Sequence, residues 1–184
     1  KLNATLKDGA GNPIANKTIT FTINGQKYNR TTNSNGIASL AINLRPGVYD
    51  VTTMYGNMSV YSKVVVKTTI EGKDLVKMYQ NGTQFFATFL GTDGKPLANN
   101  TKVTFNINGV FYNRITDSNG VARLNINLRP GNYIITTIFE GLTIGNNINV
   151  LPTLVTSDLS MKYLDGSNFT AQTLDGQGNP LTNQ

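Results

Sequence analysis

The sequence predicts an all-β fold of tandem modules, each a two-layer sandwich of about seven short antiparallel strands. Three observations predict it. A long block of sequence recurs at a spacing of about 84 residues. Within each block apolar and polar residues alternate with period two, as in strands with one buried face. Asn-Gly and Pro-Gly pairs interrupt the alternation at fixed places, where hairpins and turns need them.

The repeat sets the organisation. Gly11 to Gly25 reads GNPIANKTITFTING, and Gly94 to Gly109 reads GKPLANNTKVTFNING. Tyr28-Asn29-Arg30 returns as Tyr112-Asn113-Arg114, and the run from Ile42 to Gly47 returns unchanged from Ile126 to Gly131. A third copy opens where Asp74-Leu75, Tyr79, Gly82 and Pro96 return as Asp158-Leu159, Tyr163, Gly166 and Pro180. The expected modules are therefore 1–73, lacking its first strand, 74–157, complete, and 158–184, the opening strands of a third. The frame enters one repeat after its start and leaves another before its middle, which reads as a window on a longer array. The chain opens at Lys1 without methionine, as it would if a targeting segment were removed or lay outside this stretch.

The elements follow in order. In the complete module, strands are expected near 75–79, 84–90, 102–108, 110–116, 120–128, 132–139 and 142–150. Val103, Phe105 and Ile107 alternate with polar residues, as Ile19, Phe21 and Ile23 do in the first copy. Ala38, Leu40, Ile42 and Leu44 form another alternating run, echoed with one slip by Val121, Leu124, Ile126 and Leu128. Threonine is frequent on the polar faces, where its branched Cβ suits a strand. Asn24-Gly25 and Asn108-Gly109 sit between strand patterns and favour type I′ hairpins. Asn35-Gly36 and Asn119-Gly120 open the next strand, and Pro46-Gly47 and Pro130-Gly131 turn the chain again. No stretch has a helical period. Seven such strands read as an immunoglobulin-like sandwich. Tyr49 and Tyr133, just after Pro-Gly, are placed either as tyrosine corners or as ordinary core tyrosines.

Composition narrows the chemistry. The 184 residues include no cysteine, histidine or tryptophan. That removes disulfides and thiolate metal sites, and with histidine it removes the commonest general base and metal ligand. Only 14% of residues are charged, against about 25% in an average domain, so the surface is polar but mostly uncharged. The net charge is +6, yet the basic residues are scattered, so a nucleic-acid-binding arm is not expected. The charge reads as a mildly basic solvated surface, with attraction to an anionic cell surface as the alternative. No apolar run approaches the length of a membrane-spanning helix.

At particular motifs the chain resembles a known family. The residues are Gly94 to Asn99, Val103 to Gly109, Tyr112 to Tyr133, and the opening Asp-Leu-x-x-x-Tyr-x-Asn-Gly-Thr of Asp74 to Thr83. Together they resemble the Ig-like repeats of large adhesin-like surface proteins of methanogenic archaea. More distantly, they are similar to bacterial Ig-like repeats of the invasin and intimin type. The first module departs at Ile14 and Asn33, and the third carries Asp165 where the second has Asn81. The resemblance implies an extracellular, cell-surface location and a stalk, adhesive or filament role, and it implies no reaction. Related surface domains sometimes close a Lys–Asn isopeptide bond. Lys77 with Asn147 or Asn149 has suitable strand positions for one, and solvated side chains are the ordinary alternative.

Candidate sites are few. Asp117-Ser118-Asn119-Gly120 resembles the start of a calcium loop, but Val121, Ala122 and Arg123 follow, so a turn is expected and no metal or cofactor. No carboxylate pair recurs in both copies, and no catalytic residue is expected. N-glycosylation sequons lie at Asn3, Asn16, Asn29, Asn57, Asn81, Asn99 and Asn168, and composition alone accounts for most of them. Asn16, Asn57, Asn81 and Asn99 fall in expected turns and are the preferred acceptors; Asn3, Asn29 and Asn168 rank below them. Arg30, Arg45, Arg114 and Arg129 recur in register. They suit either contacts with a neighbour or an acidic glycan, or cover for apolar edges by their stems.

Two classes of function follow. The favoured one is a structural or adhesive surface repeat whose partners are its own neighbours, with strands exchanged between copies as one option. N-glycans and a host or neighbouring-cell surface complete the expected partners. The other is a carbohydrate- or receptor-binding module attached to a larger surface protein. Such sites usually present aromatic platforms, often tryptophan, and this chain has none.

Overall fold

A computed structural model describes residues 1–182 of the chain. It is all-β and divides into two compact units, Lys1–Thr68 and a second beginning at Thr69.

In the first unit, β1 (Leu2–Thr5) pairs antiparallel with β4 (Ile37–Leu40). The facing sheet contains β2 (Thr18–Ile23), β3 (Gln26–Thr31), β5 (Gly47–Tyr55) and β6 (Met58–Val66), in the order β3-β2-β5-β6. Between them lie Leu6, Ile19, Phe21, Ile23, Ala38, Leu40 and Val51, all buried. These are the apolar members of the alternating runs. The period of two sends every second side chain inward, and hairpin register brings the inward residues of neighbouring strands together.

The second unit repeats this plan and completes it. β7 (Ile70–Gly72) joins β9 (Gln84–Phe89) and β12 (Val121–Asn125) in one sheet, ordered β12-β9-β7. The other sheet contains β8 (Leu75–Met78), β10 (Lys102–Ile107), β11 (Val110–Ile115), β13 (Gly131–Phe139) and β14 (Leu142–Leu151), ordered β11-β10-β13-β14-β8. Phenylalanines centre the core. Phe85 meets Phe105 edge-on at 5.7 Å, and Phe89 meets Phe139 at 5.9 Å. Past it, β15 (Leu154–Thr156) pairs with β16 (Ala171–Thr173) in the register with which β7 pairs with β9.

Strand pairing adds detail that the alternating pattern does not carry. The second compact unit begins at Thr69, and Ile70 and Glu71 pair with Phe89 and Thr88. Leu154–Thr156 likewise pairs forward, into the expected third copy. The opening strand is also split. After Gly72 the chain leaves one sheet for the other, where Leu75–Met78 runs parallel to Ile148–Leu151, so one pairing in the module is not antiparallel. A Cβ on Gly72 would lie 2.4 Å from Asn146 Oδ1, so a larger residue at the crossing would have to displace the Asn146 amide. The run expected over 120–128 is laddered only from Val121 to Asn125, because its partner β9 begins opposite Asn125, at Gln84.

Candidate functional site

The recurring polar residues come first, since any site must be built from them. Tyr49 and Tyr133 are tyrosine corners: each hydroxyl donates to a main-chain carbonyl four residues upstream, of Arg45 at 2.7 Å and Arg129 at 2.9 Å. Asp117 is a turn residue. Its Oδ1 accepts from the amides of Asn119 and Val121, and Oδ2 pairs with Arg123 at 2.9 Å. The Arg123 guanidinium, then the Val121 amide, hold that carboxyl below its usual range. Asn33 makes the same two amide contacts in the first unit, to Asn35 and Ile37, so the turn needs only a side-chain oxygen. Among the described residues no group of three or more acidic side chains could hold a metal ion.

A second Asx loop recurs between the first and third copies. Asp8 accepts from the amides of Ala10 and Asn12 and from Asn12 Nδ2, and Asp175 accepts from Gln177 and Asn179 in the same way. Gly91 stands at this place in the second copy, where Asp93 Oδ1 accepts from Lys95 instead. Thr32 and Thr116, buried and in register, pin the Ala-Asn loops: Thr32 Oγ1 accepts from the Lys17 amide, and Thr116 Oγ1 donates to Ala98 O at 2.7 Å. Sequence reading passed over these threonines. Their repetition at the module spacing was the available signal.

Lys77 overturns one expectation. It is only 5% exposed and lies opposite Val150 on the core face, whereas Asn147 and Asn149 alternate away from it on β14. Its ammonium donates to the carbonyls of Asn81, of Thr83 at 3.1 Å and of Ile126 at 2.8 Å. A Lys77 cross-link to either asparagine is therefore ruled out by which face each occupies. Desolvation lowers the Lys77 pKa from its ordinary value. Asn147 bonds Asp74 instead, through its main-chain amide at 2.8 Å and through Nδ2 at 3.0 Å, tying the start of β8 to β14.

The sequon asparagines separate into two kinds. Asn16, Asn57 and Asn99 are exposed at bends or turns, and Asn3, Asn29 and Asn168 are exposed as well. Asn81 is half-buried, and its Nδ2, the atom an N-glycan would occupy, donates to Gly176 O at 2.6 Å. Of the recurring arginines, Arg30 and Arg114 fold back on their own strand, each donating to the carbonyl of the preceding asparagine at 2.7 Å. The Arg114 guanidinium also sits 5.9 Å from the Tyr112 ring centre.

One concave apolar feature stands out in the first unit. Leu2, Ala4, Leu6, Ile19, Tyr55, Met58 and Val60 are among the residues lining a cavity of about 260 Å3. Met58 and Val60 are 54% and 57% exposed, although the register of β6 turns them to the core face. Their counterparts, Leu142 and Ile144, are packed against the core of the second unit. What covers that core there is Ile70–Gly72 on β9 and Leu75–Met78 on β14. In the first unit β1 pairs only with β4, and β6 only with β5. The feature is thus the space of an opening strand, with an open strand edge on each side.

No family model matches the chain, and no curated protein does. Among solved structures, domains 1–6 of the surface layer protein SbsC align with 95% of this chain at 17% identity and a TM-score of 0.36. The D0–D1 domain of intimin aligns with 79% of this chain and 85% of its own length, at 20% identity and a TM-score of 0.33. A Ca2+-stabilized adhesin that helps an Antarctic bacterium bind ice aligns with 84% of this chain and 46% of its own, at 16% identity and a TM-score of 0.28. The chain spans 26% to 32% of the longer SbsC chains it matches. Likenesses at this level leave function to be argued from the chain's own geometry.

Proposed function

We propose that the chain is a stretch of a structural or adhesive cell-surface protein, in which repeated sandwiches form a stalk or extracellular filament, and that it performs no catalysis. One observation carries this reading. The polar features that recur between copies, the tyrosine corners, Asx turns and buried threonines, all serve the module's own main chain. A repeat that spends its recurring polar groups on itself suits a spacer better than a ligand site. Antibodies against the chain should label intact cells, and electron micrographs should place the label on rods or filaments. Label confined to permeabilised cells would sink the surface reading.

Strand addition is the finer part of the proposal. The groove of the first unit takes an opening segment of the repeat, from a preceding repeat of the same array or from another copy, pairing along Ala4–Leu6 as Ile70–Gly72 pairs along Ala87–Phe89. A labelled peptide of sequence Thr69 to Tyr79 should bind the chain, and Val60→Asp should abolish binding. Absence of saturable binding ends strand addition and leaves the stalk reading standing. The exposed sequons, Asn16, Asn57 and Asn99 foremost, are the proposed glycan sites. Intact-mass measurement of native material showing the peptide mass alone removes them.

A further inference from the structure

We propose that Asn81 latches a rigid joint between consecutive repeats, and that its partner is the Asp-Gly-x-Gly-Asn loop of the following repeat. The inference rests on the stalk reading and names the contact that would stiffen it. Three main-chain and side-chain bonds converge at this junction. Leu151 O accepts from the Tyr79 amide at 2.8 Å, which fixes the end of β14 to the turn after β8. Two residues on, Thr153 O accepts from the Leu174 amide at 2.7 Å, which fixes the start of the third copy. Only Pro152, with its locked φ, lies between. Asn81 Nδ2 then spans the junction to Gly176 O at 2.6 Å. Surfaces meet around this bond. A Cβ on Gly176 would stand 3.4 Å from Asn81 Cα, and one on Gly178 would stand 4.0 Å from Met78 Sδ.

The amide is held in place for this task. Asn81 Oδ1 accepts from the Thr83 amide at 2.7 Å and from the Thr83 hydroxyl, which leaves Nδ2 pointing out of the turn. Lys77, bonded to the carbonyls of Asn81 and Thr83, fastens the same turn to the core. The loop opposite is shaped by Asp175, whose carboxylate is satisfied by Gln177 and Asn179, so the Gly176 carbonyl is presented by a fixed frame. The same frame recurs around Asp8. Nδ2 is also the nitrogen a sequon glycan would take; a glycan leaves it one N–H but would crowd the Gly176 loop packed beside it.

Asn81→Asp isolates the latch. The third copy has Asp165 at this place, where Oδ1 accepts from the Ser167 amide at 2.8 Å, so the turn tolerates a carboxylate. The variant keeps the acceptor and replaces the donor with an oxygen facing Gly176 O. The chain has no cysteine, so Thr143→Cys with Gln172→Cys gives a unique pair of exposed labelling sites on either side of the joint. Spin-label distance distributions should be narrow in the otherwise unchanged chain and at least about twofold broader with Asn81→Asp. Circular dichroism should show the sandwich intact in both. A narrow distribution in both proteins overturns the latch and leaves the stalk reading in place. A broad distribution before Asn81 is changed overturns the rigid joint and the stiff stalk together.

Discussion

At the scale of single residues, the most demanding position is a glycine. Gly120 has φ +69°, and a Cβ there would lie 2.6 Å from Phe89 O and 2.9 Å from the Leu97 amide nitrogen. Gly36 meets Leu6 O at 2.4 Å in the same way. Neither neighbour yields cheaply, because both are main-chain atoms and the Leu97 amide is itself bonded to Phe89 O at 2.9 Å. Gly120→Ala should therefore destabilise the second unit by about 2 kcal/mol or more, combining backbone strain with displacement of β9. Chemical denaturation followed by near-ultraviolet dichroism would measure it, and a loss under about 0.5 kcal/mol would contradict the close approach. Tyr133→Phe removes one hydroxyl bond to Arg129 O and should cost about 1 kcal/mol. Sequence made the Asn-Gly pair legible as a turn. It did not make legible that the glycine also seats against a strand thirty-odd residues earlier in the chain, because contact distance leaves no mark on local pattern.

At the scale of elements, the long alternating strands were readable and the opening strand was half hidden. Leu75–Met78 was expected. Ile70–Gly72 was not, since three residues with one inward side chain contain no period to detect. Lys77 misled for a related reason: charge suggests solvent, and only the register with Val150 reveals that it points inward. Its depressed pKa has a definite sign. The fold disfavours the charged form, so the ammonium's cost is relieved as pH rises through the folded value towards the ordinary 10.5. Stability relative to a Lys77→Met variant should therefore increase as pH rises towards 10.5, and a difference that does not change with pH on the alkaline side would refute the burial account. The Asx turns act at the other end of the scale. The Asp117 carboxyl is lowered first by Arg123, and that of Asp175 first by the Asn179 amide. Both contribute stability above the usual carboxylate range, and that contribution is lost as pH falls through it. Asp117→Asn keeps the turn, as Asn33 does, but gives up the ion pair, so its thermal midpoint should fall less steeply below about pH 4.

At the scale of the molecule, the described residues contain one unit with an opening strand and one without, and the difference can be measured. The second unit buries Phe85, Phe89 and Phe105 in one core with Ile70 of β7, whereas the first buries Phe21 as its one phenylalanine and leaves Met58 and Val60 uncovered on the core face. Burying those two side chains removes apolar area from water at roughly 25 cal/mol per Å2, so an empty groove forgoes a few kcal/mol. Two units with separate cores and unequal closure should unfold in two steps, the first unit at the lower temperature. Native-state hydrogen exchange should resolve them, with amides of β2 and β5 less protected than those of β10 and β13. Adding the Thr69 to Tyr79 peptide at about a hundredfold above its dissociation constant should raise protection in the first unit alone, by about 2.7 kcal/mol, because only that unit offers the space. Equal protection of both units, or a rise in both, would mean that the opening strand does not set the stability of the repeat.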